Sequence, residues 1–260
     1  RELTNRFPPK DYQVGSEVVL KVEGLTAMYS GLKDVSFELK KGEILGFYGL
    51  RGAGKSETAR ALFGLDRLTG GEIWMHGERI ELKNPEQAMQ RGISMVPEER
   101  LSEGLFMKLS VSDNIAVTNY RNSSRFCVVN EKNKGAIAER FVQDLNIKVH
   151  SIRQRVGTLS GGNQQKVVIS KCLNAQTQVL MLDEPSRGID VGAKEEIYTI
   201  IRKMAAEGVG ILVFSSEYDE IAALCDRVAL MQGGRIIAVR DNADLDSTQI
   251  HILTMGGNQA

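Results

Sequence analysis

The stretch "GEILGFYGLRGAGKSETARALF", residues 42–63, begins with a nearly unbroken apolar run, passes through a glycine-rich turn and ends in helix-forming residues. An apolar run bounded by glycine reads as a strand buried on both faces, the kind parallel sheets contain. "KSETARALF" follows with helical periodicity, and Gly64 is its stop signal. Between the two, Gly49-Leu50-Arg51-Gly52-Ala53-Gly54-Lys55-Ser56 satisfies GxxxxGK[ST], in the strand-then-helix setting its chemistry needs. Glycines let backbone N–H groups curl around phosphate oxygens, and the helix N-terminus adds partial positive charge. In such a loop Gly49, Arg51, Gly52, Ala53 and Gly54 shape the cradle, Lys55 reaches the β and γ phosphates, and Ser56 binds Mg²⁺.

The pattern repeats outward from this loop. "QVLML" before Asp183 and "GILVFSS" from Gly210 are further buried parallel strands. Helical spacing follows them, with Ile197, Ile200, Ile201 and Met204 on one face, then "EYDEIAALC" from Glu217. Val18, Leu20 and Val22, and then Val35, Phe37 and Leu39, alternate with polar residues, as half-buried strands of an antiparallel sheet do. "RVALMQGGRIIAVR" reads as two strands joined at Gly233-Gly234. From residue 99 to 177 the strand signal fades, and Ile137, Phe141, Val142 and Leu145 mark an amphipathic helix capped by Asn130. The expected architecture is an α/β P-loop core with a mainly parallel sheet, an antiparallel β subdomain and an inserted α-helical subdomain, spanning residues 18–245. "RELTNRFPPKDYQVGSE", residues 1–17, has the mixed charge and Pro-Pro pair of a linker, and residues 246–260 read as a C-terminal helix or tail.

Composition narrows the function classes. In 260 residues Lys plus Arg equal Asp plus Glu at 33 each, which gives no basic footprint for nucleic acid and no sign of disorder. Cys127, Cys172 and Cys225 are far apart and lack metal-ligand spacing, so they read as reduced, buried thiols. No stretch approaches the roughly 18 apolar residues of a membrane span, so any membrane role works through a partner.

Two more stretches carry chemistry. Asp183-Glu184 ends an apolar strand, which puts two carboxylates at the carboxyl edge of a parallel sheet, where ligands of such sheets bind. Asp183 is expected to hold Mg²⁺ and Glu184 to polarise the water that attacks a γ-phosphate. Ser160-Gly161-Gly162 before "NQQKVVISKCL" supplies an N-cap hydroxyl, two side-chain-free amides and a helix dipole, all suited to phosphate.

The ordered set "GLRGAGKS", "LSGGNQQK", "LMLDEP", "RGID" and a strand ending "SSE" resembles the ATP-binding cassette family from about Val18 onward. The resemblance implies ATP with Mg²⁺, and cassettes paired head to tail so that the Ser160-Gly162 signature, with Gln164, serves a nucleotide held by a partner cassette. Asp190 would lie at that interface, and Tyr29 would stack on adenine, with a plain packing role as the alternative. Chromosome-maintenance branches carry long coiled-coil insertions that are absent between residues 56 and 160, whereas a soluble ATPase of the translation-factor type, usually basic in composition, stays as an alternative. "MVPEER", "DEPSRGIDVGAK" and "FSSEYDE" are similar to the second cassette of double-cassette monosaccharide importers. That likeness implies a cytoplasmic ATPase peripheral to the inner face of the membrane, a first cassette, integral permease subunits docking near residues 99–119 around Leu105, Phe106 and Met107, and a sugar-binding protein.

Two positions depart from the family's pattern. Glu98 stands where most cassettes carry a metal-bridging Gln, and Ser216 stands where most carry a histidine that contacts the γ-phosphate. His76, His150 and His251 fall in other segments. The expectation is therefore a site that binds ATP and hydrolyses it slowly, with a hydrolysis-deficient regulatory cassette as the alternative.

Overall fold

The computed structural model describes residues 12–120, 124–125 and 128–244, so Cys127, His251, most of the expected linker and all of the expected tail lie outside the described residues. Along the chain the strands are β1 (Val18–Ala27), β2 (Leu32–Lys40), β3 (Ile44–Tyr48), β4 (Gly70–Met75), β5 (Glu78–Ile80), β6 (Ile93–Val96), β7 (Ser124–Arg125), β8 (Val128–Val129), β9 (Val179–Asp183), β10 (Gly210–Ser215), β11 (Arg227–Gln232) and β12 (Arg235–Asp241). The α-helices are α1 (Lys55–Leu62), α2 (Pro85–Gln90), α3 (Val111–Ala116), α4 (Glu131–Asp144), α5 (Gly161–Leu173), α6 (Val191–Ala206) and α7 (Tyr218–Leu224).

The apolar runs become the central sheet, in the order β12-β11-β3-β10-β9-β6. All its pairings are parallel except the edge pair β11 with β12. Both faces of its inner strands are covered. Leu45, Phe47, Leu212 and Phe214 point into one core cluster, while Ile44, Ile211 and Val213 point into the other. That two-sided burial explains why β3, β9 and β10 read as continuous hydrophobic runs. The alternating segments form a four-stranded antiparallel sheet, β2-β1-β4-β5, with Leu20 opposite Leu39 and Val22 opposite Phe37. The two sheets meet at Phe47, whose ring lies 5.1 Å from Phe37 edge-on and 4.6 Å from Phe214 in a stack.

Between β6 and β9 the described chain is largely helical. α3 is capped by Ser110, whose hydroxyl accepts from Asp113 N, and α4 by Asn130, which accepts from Lys132 N and Asn133 N. The segment also contains a five-residue π-helical turn, Arg100–Gly104, and the two-residue strands β7 and β8, which are too short for periodicity to reveal. Residues 12–17 of the expected linker lie on the core: Gly15 N donates to Lys41 O (2.9 Å), and the Tyr12 hydroxyl donates to Asp226, which also accepts from Ile44 N. Gly233 and Gly234, at φ 56° and 80°, make the β11–β12 turn. Cys172 and Cys225 are buried free thiols, and burial pushes Cys172 up to about 11.

Candidate functional site

The loop between β3 and α1 turns sharply because Gly52 and Gly54 take φ of 80° and 108°, which side-chain-bearing residues resist. Ala53 N donates to Leu50 O, and the β11–β12 turn props the loop from outside through Gly234 N to Ala53 O at 2.9 Å. No side chain caps the N-terminus of α1, so its first-turn amides are available to an anion. The Lys55 ammonium lies across the loop, donating to Gly49 O at 2.8 Å and Leu50 O at 3.3 Å. Burial lowers the pKa of Lys55, against the opposing pull of Glu184 and Asp183.

Ser56 Oγ donates to Asp183 Oδ1 at 3.0 Å, so the loop and the end of β9 meet at one point. Asp183 is 3 % exposed, and its burial, reinforced by the nearby Glu98 and Glu184 charges, pushes its carboxyl up to about 7. Glu184 has a left-handed backbone, φ 45°, a costly conformation for this residue type. Its N–H donates to Phe214 O and its Oε1 accepts from Ser216 N at 2.9 Å, which joins the ends of β9 and β10. Arg51, Gly52, Lys55, Ser56, Glu98, Glu184 and Ser216 line one cleft of about 590 Å³, with Glu57, Arg187 and Glu217 completing its wall.

The donors here are hard oxygens: the Ser56 hydroxyl and the Asp183, Glu98 and Glu184 carboxylates. That set fits Mg²⁺, which takes one or two protein oxygens and fills its octahedron with phosphates and water. Among the described residues no group of three or more His, Cys, Asp or Glu is placed to hold a metal ion.

Ser160, Gly161 and Gly162 begin α5 and do not line this cleft. Gly162 packs so closely on α6 that a Cβ there would lie 2.5 Å from Ala193 Cβ. Asp190 caps α6 through Ala193 N. Two expectations need correction. The Ser160 hydroxyl makes no cap to the helix backbone and accepts instead from Asn163 Nδ2, and Gln164 is buried, with its amide donating to Val156 O. Gln164 therefore supports the loop from within and is not set toward a ligand. Tyr29 is 91 % exposed at the end of β1, which removes the packing alternative, and it does not line the cleft. Leu105 is core, whereas Phe106 is half exposed.

Two arginines went unnoticed in the sequence. Arg187 pairs with Glu98 at the cleft rim, and Arg100 holds the carbonyls of Arg187 and Gly188. The available signal was an arginine three residues after Glu184, in the turn leaving β9.

Residues 32–187 match the family described as ABC transporter. The chain is 44 % identical over 262 residues to the putative ribose/galactose/methyl galactoside import ATP-binding protein 1 of Agrobacterium fabrum, covering 100 % of this chain and 52 % of that protein. It is 43 % identical over 264 residues to the xylose import ATP-binding protein XylG of Thermoanaerobacter pseudethanolicus, covering 99 % and 52 %. The chain thus spans about half the length of the curated relatives it matches. A nucleotide-free ATP-binding cassette from an ABC transporter superposes with a TM-score of 0.75 at 20 % identity, covering 90 % of this chain and 99 % of that one. A dimeric cassette in a post-hydrolysis state bound to ADP and Pi gives 0.71 at 21 % identity, covering 86 % and 98 %. At these identities the likeness to solved structures shows the fold.

Proposed function

The chain belongs to the ABC transporter family, and from that membership we propose that it is an ATP-binding and ATP-hydrolysing cassette that powers import of a monosaccharide. One observation carries the reading: the Lys55 loop, the Ser56–Asp183 pair and the Glu184–Ser216 pair converge on a single polar cleft at the carboxyl edge of the parallel sheet.

In this reading the amides of residues 52–56 and the Lys55 ammonium bind the β and γ phosphates. Ser56 and Asp183 would hold Mg²⁺, with Glu98 in reach. The bound cation would neutralise charge developing on the phosphoryl oxygens. Glu184 accepts the proton of the attacking water, and the Ser216 N–H fixes the orientation of its carboxylate. Ser216 offers a neutral hydroxyl where a charged donor would stabilise the transition state more, so turnover at this site is slow. Tyr29 offers an exposed face to adenine.

Ser160, Gly161, Gly162 and Asp190 lie outside the cleft, which supports their serving the nucleotide of a second cassette across an interface. Among the described residues no helix is long and apolar enough to cross a membrane. Membrane coupling would then run through permease subunits, on whose inner face the cassette sits, with a sugar-binding protein upstream. A groove of about 530 Å³ lined by Phe63, Met89, Met95 and Phe106 supports docking beside residues 99–119.

The second reading, a cassette that holds ATP and completes its partner's site, is favoured by Ser216 and by the engagement of Glu98 with Arg187. Steady-state Mg-ATP hydrolysis measured across protein concentrations, with Glu184→Gln as control, separates the two. The expected result is slow turnover that rises faster than linearly with concentration and vanishes in the variant. Tight binding with no turnover at any concentration would replace the enzyme by the holding site.

A further inference from the structure

Two loops meet across the rim of the cleft, residues 97–100 after β6 and residues 184–190 after β9. They are tied twice. Arg100 donates Nη1 to Arg187 O at 2.7 Å and Nη2 to Gly188 O at 3.1 Å, which fixes the backbone on which Arg187 stands. The Arg187 side chain then reaches back to Glu98 and lies 3.1 Å from Glu99 Oε1.

These two ties differ in kind. The first holds main chain to main chain through a partly buried guanidinium. The second is an ion pair whose members are 53 %, 39 % and 57 % exposed, so it contributes little to folding and is exchanged at small cost. Arg187 can therefore change partners while its backbone stays put.

The charges of the cleft supply a reason for it to do so. On the loop side, Lys55 and Arg51 face the ligand space. On the far wall stand the carboxylates of Glu98, Glu184 and Glu217, of which Glu217 is matched by Lys194 at 2.7 Å, and the neutral hydroxyl of Ser216. Among the residues lining that wall, Arg187 is the cation. A phosphate chain extended from the loop toward Glu98 and Glu184 would meet like charge unless a cation stood between them.

We propose that Arg187 is the residue by which this cleft distinguishes a nucleoside triphosphate from a diphosphate, its guanidinium passing from Glu98 and Glu99 to the terminal phosphate. A guanidinium fork matches two phosphate oxygens at once, and a phosphate shielded from water holds it more strongly than exposed carboxylates do. Glu98, released, becomes free to face the cation bound by Ser56 and Asp183. The proposal rests on the nucleotide reading of the cleft.

The test titrates the full chain, with Glu184→Gln to prevent turnover, against fluorescent N-methylanthraniloyl derivatives of ATP and ADP in Mg²⁺. Arg187→Ala is expected to weaken the ATP analogue by about tenfold or more and the ADP analogue by less than about twofold, so that the preference for triphosphate collapses. Arg187→Lys, with charge but no fork, should recover part of that preference. The exposure of Arg187 predicts a melting temperature close to the parent's, which confirms that the variants are folded. Equal weakening of both analogues, or no change in either, would overturn the proposal and leave the nucleotide site standing. Failure of the parent chain to bind either analogue would overturn the nucleotide reading itself.

Discussion

Under the proposed function Ser216 would govern the rate of this site through its side chain, while its backbone holds Glu184. Its N–H donates to the Glu184 carboxylate, and the residue is exposed and lines the cleft. Ser216→His should therefore leave that hydrogen bond intact and add a donor toward the phosphate. Turnover is expected to rise about tenfold or more, with nucleotide affinity within about twofold, in a coupled phosphate-release assay. An unchanged rate would mean that position 216 does not limit hydrolysis. The lysine, serine and carboxylates of the site were legible because each belongs to a spaced pattern with a chemical reason. Arg187 was not: one exposed arginine in a turn has no period, and its meaning comes from Glu98, which lies 89 positions earlier in the chain.

Among the elements, those with long periodicity were legible and those built from short turns were not. α6 and α4 read correctly because their apolar residues repeat every three or four positions. The Arg100–Gly104 turn and the β7–β8 pair offer too few residues for any period to register. Caps divide in the same way. Asn130 caps α4 as its position implied, because its carbonyl reaches two first-turn amides. Ser160 precedes α5 just as plausibly, yet Asn163, one turn on, takes up its hydroxyl. Asn130→Ala should cost about 1 kcal/mol, a loss of roughly 2–4 °C in the thermal midpoint, whereas Ser160→Ala should leave that midpoint within about 1 °C. Thermal unfolding of the two variants side by side checks the contrast, and equal losses would contradict it.

At the scale of the whole molecule, Phe47 joins what the sequence presents as separate sheets. It lies on the central strand β3, edge-on to Phe37 and stacked on Phe214, with no exposure to solvent. Phe47→Ala leaves a cavity where both sheets pack, and should cost about 3–5 kcal/mol. Because the same ring serves both layers, the midpoint should fall by roughly 10 °C in a single transition. Calorimetry showing two separated transitions would mean the sheets unfold independently.

The sequence alone determined the buried parallel strands, the phosphate loop and its lysine, the carboxylate pair ending β9 and the hairpin glycines. Each of these is written in local order, as a run, a spacing or a required backbone angle. Only the tertiary structure decided that Ser56 touches Asp183, that Ser216 N holds Glu184, that Gln164 turns inward, and that Arg187 and Arg100 bind two distant loops at the rim of the cleft. Hydrogen bonds and ion pairs act over a few ångströms of space and carry no trace of the chain length between their partners. A contact between residues 98 and 187 therefore becomes visible only when the sheet has brought β6 and β9 side by side.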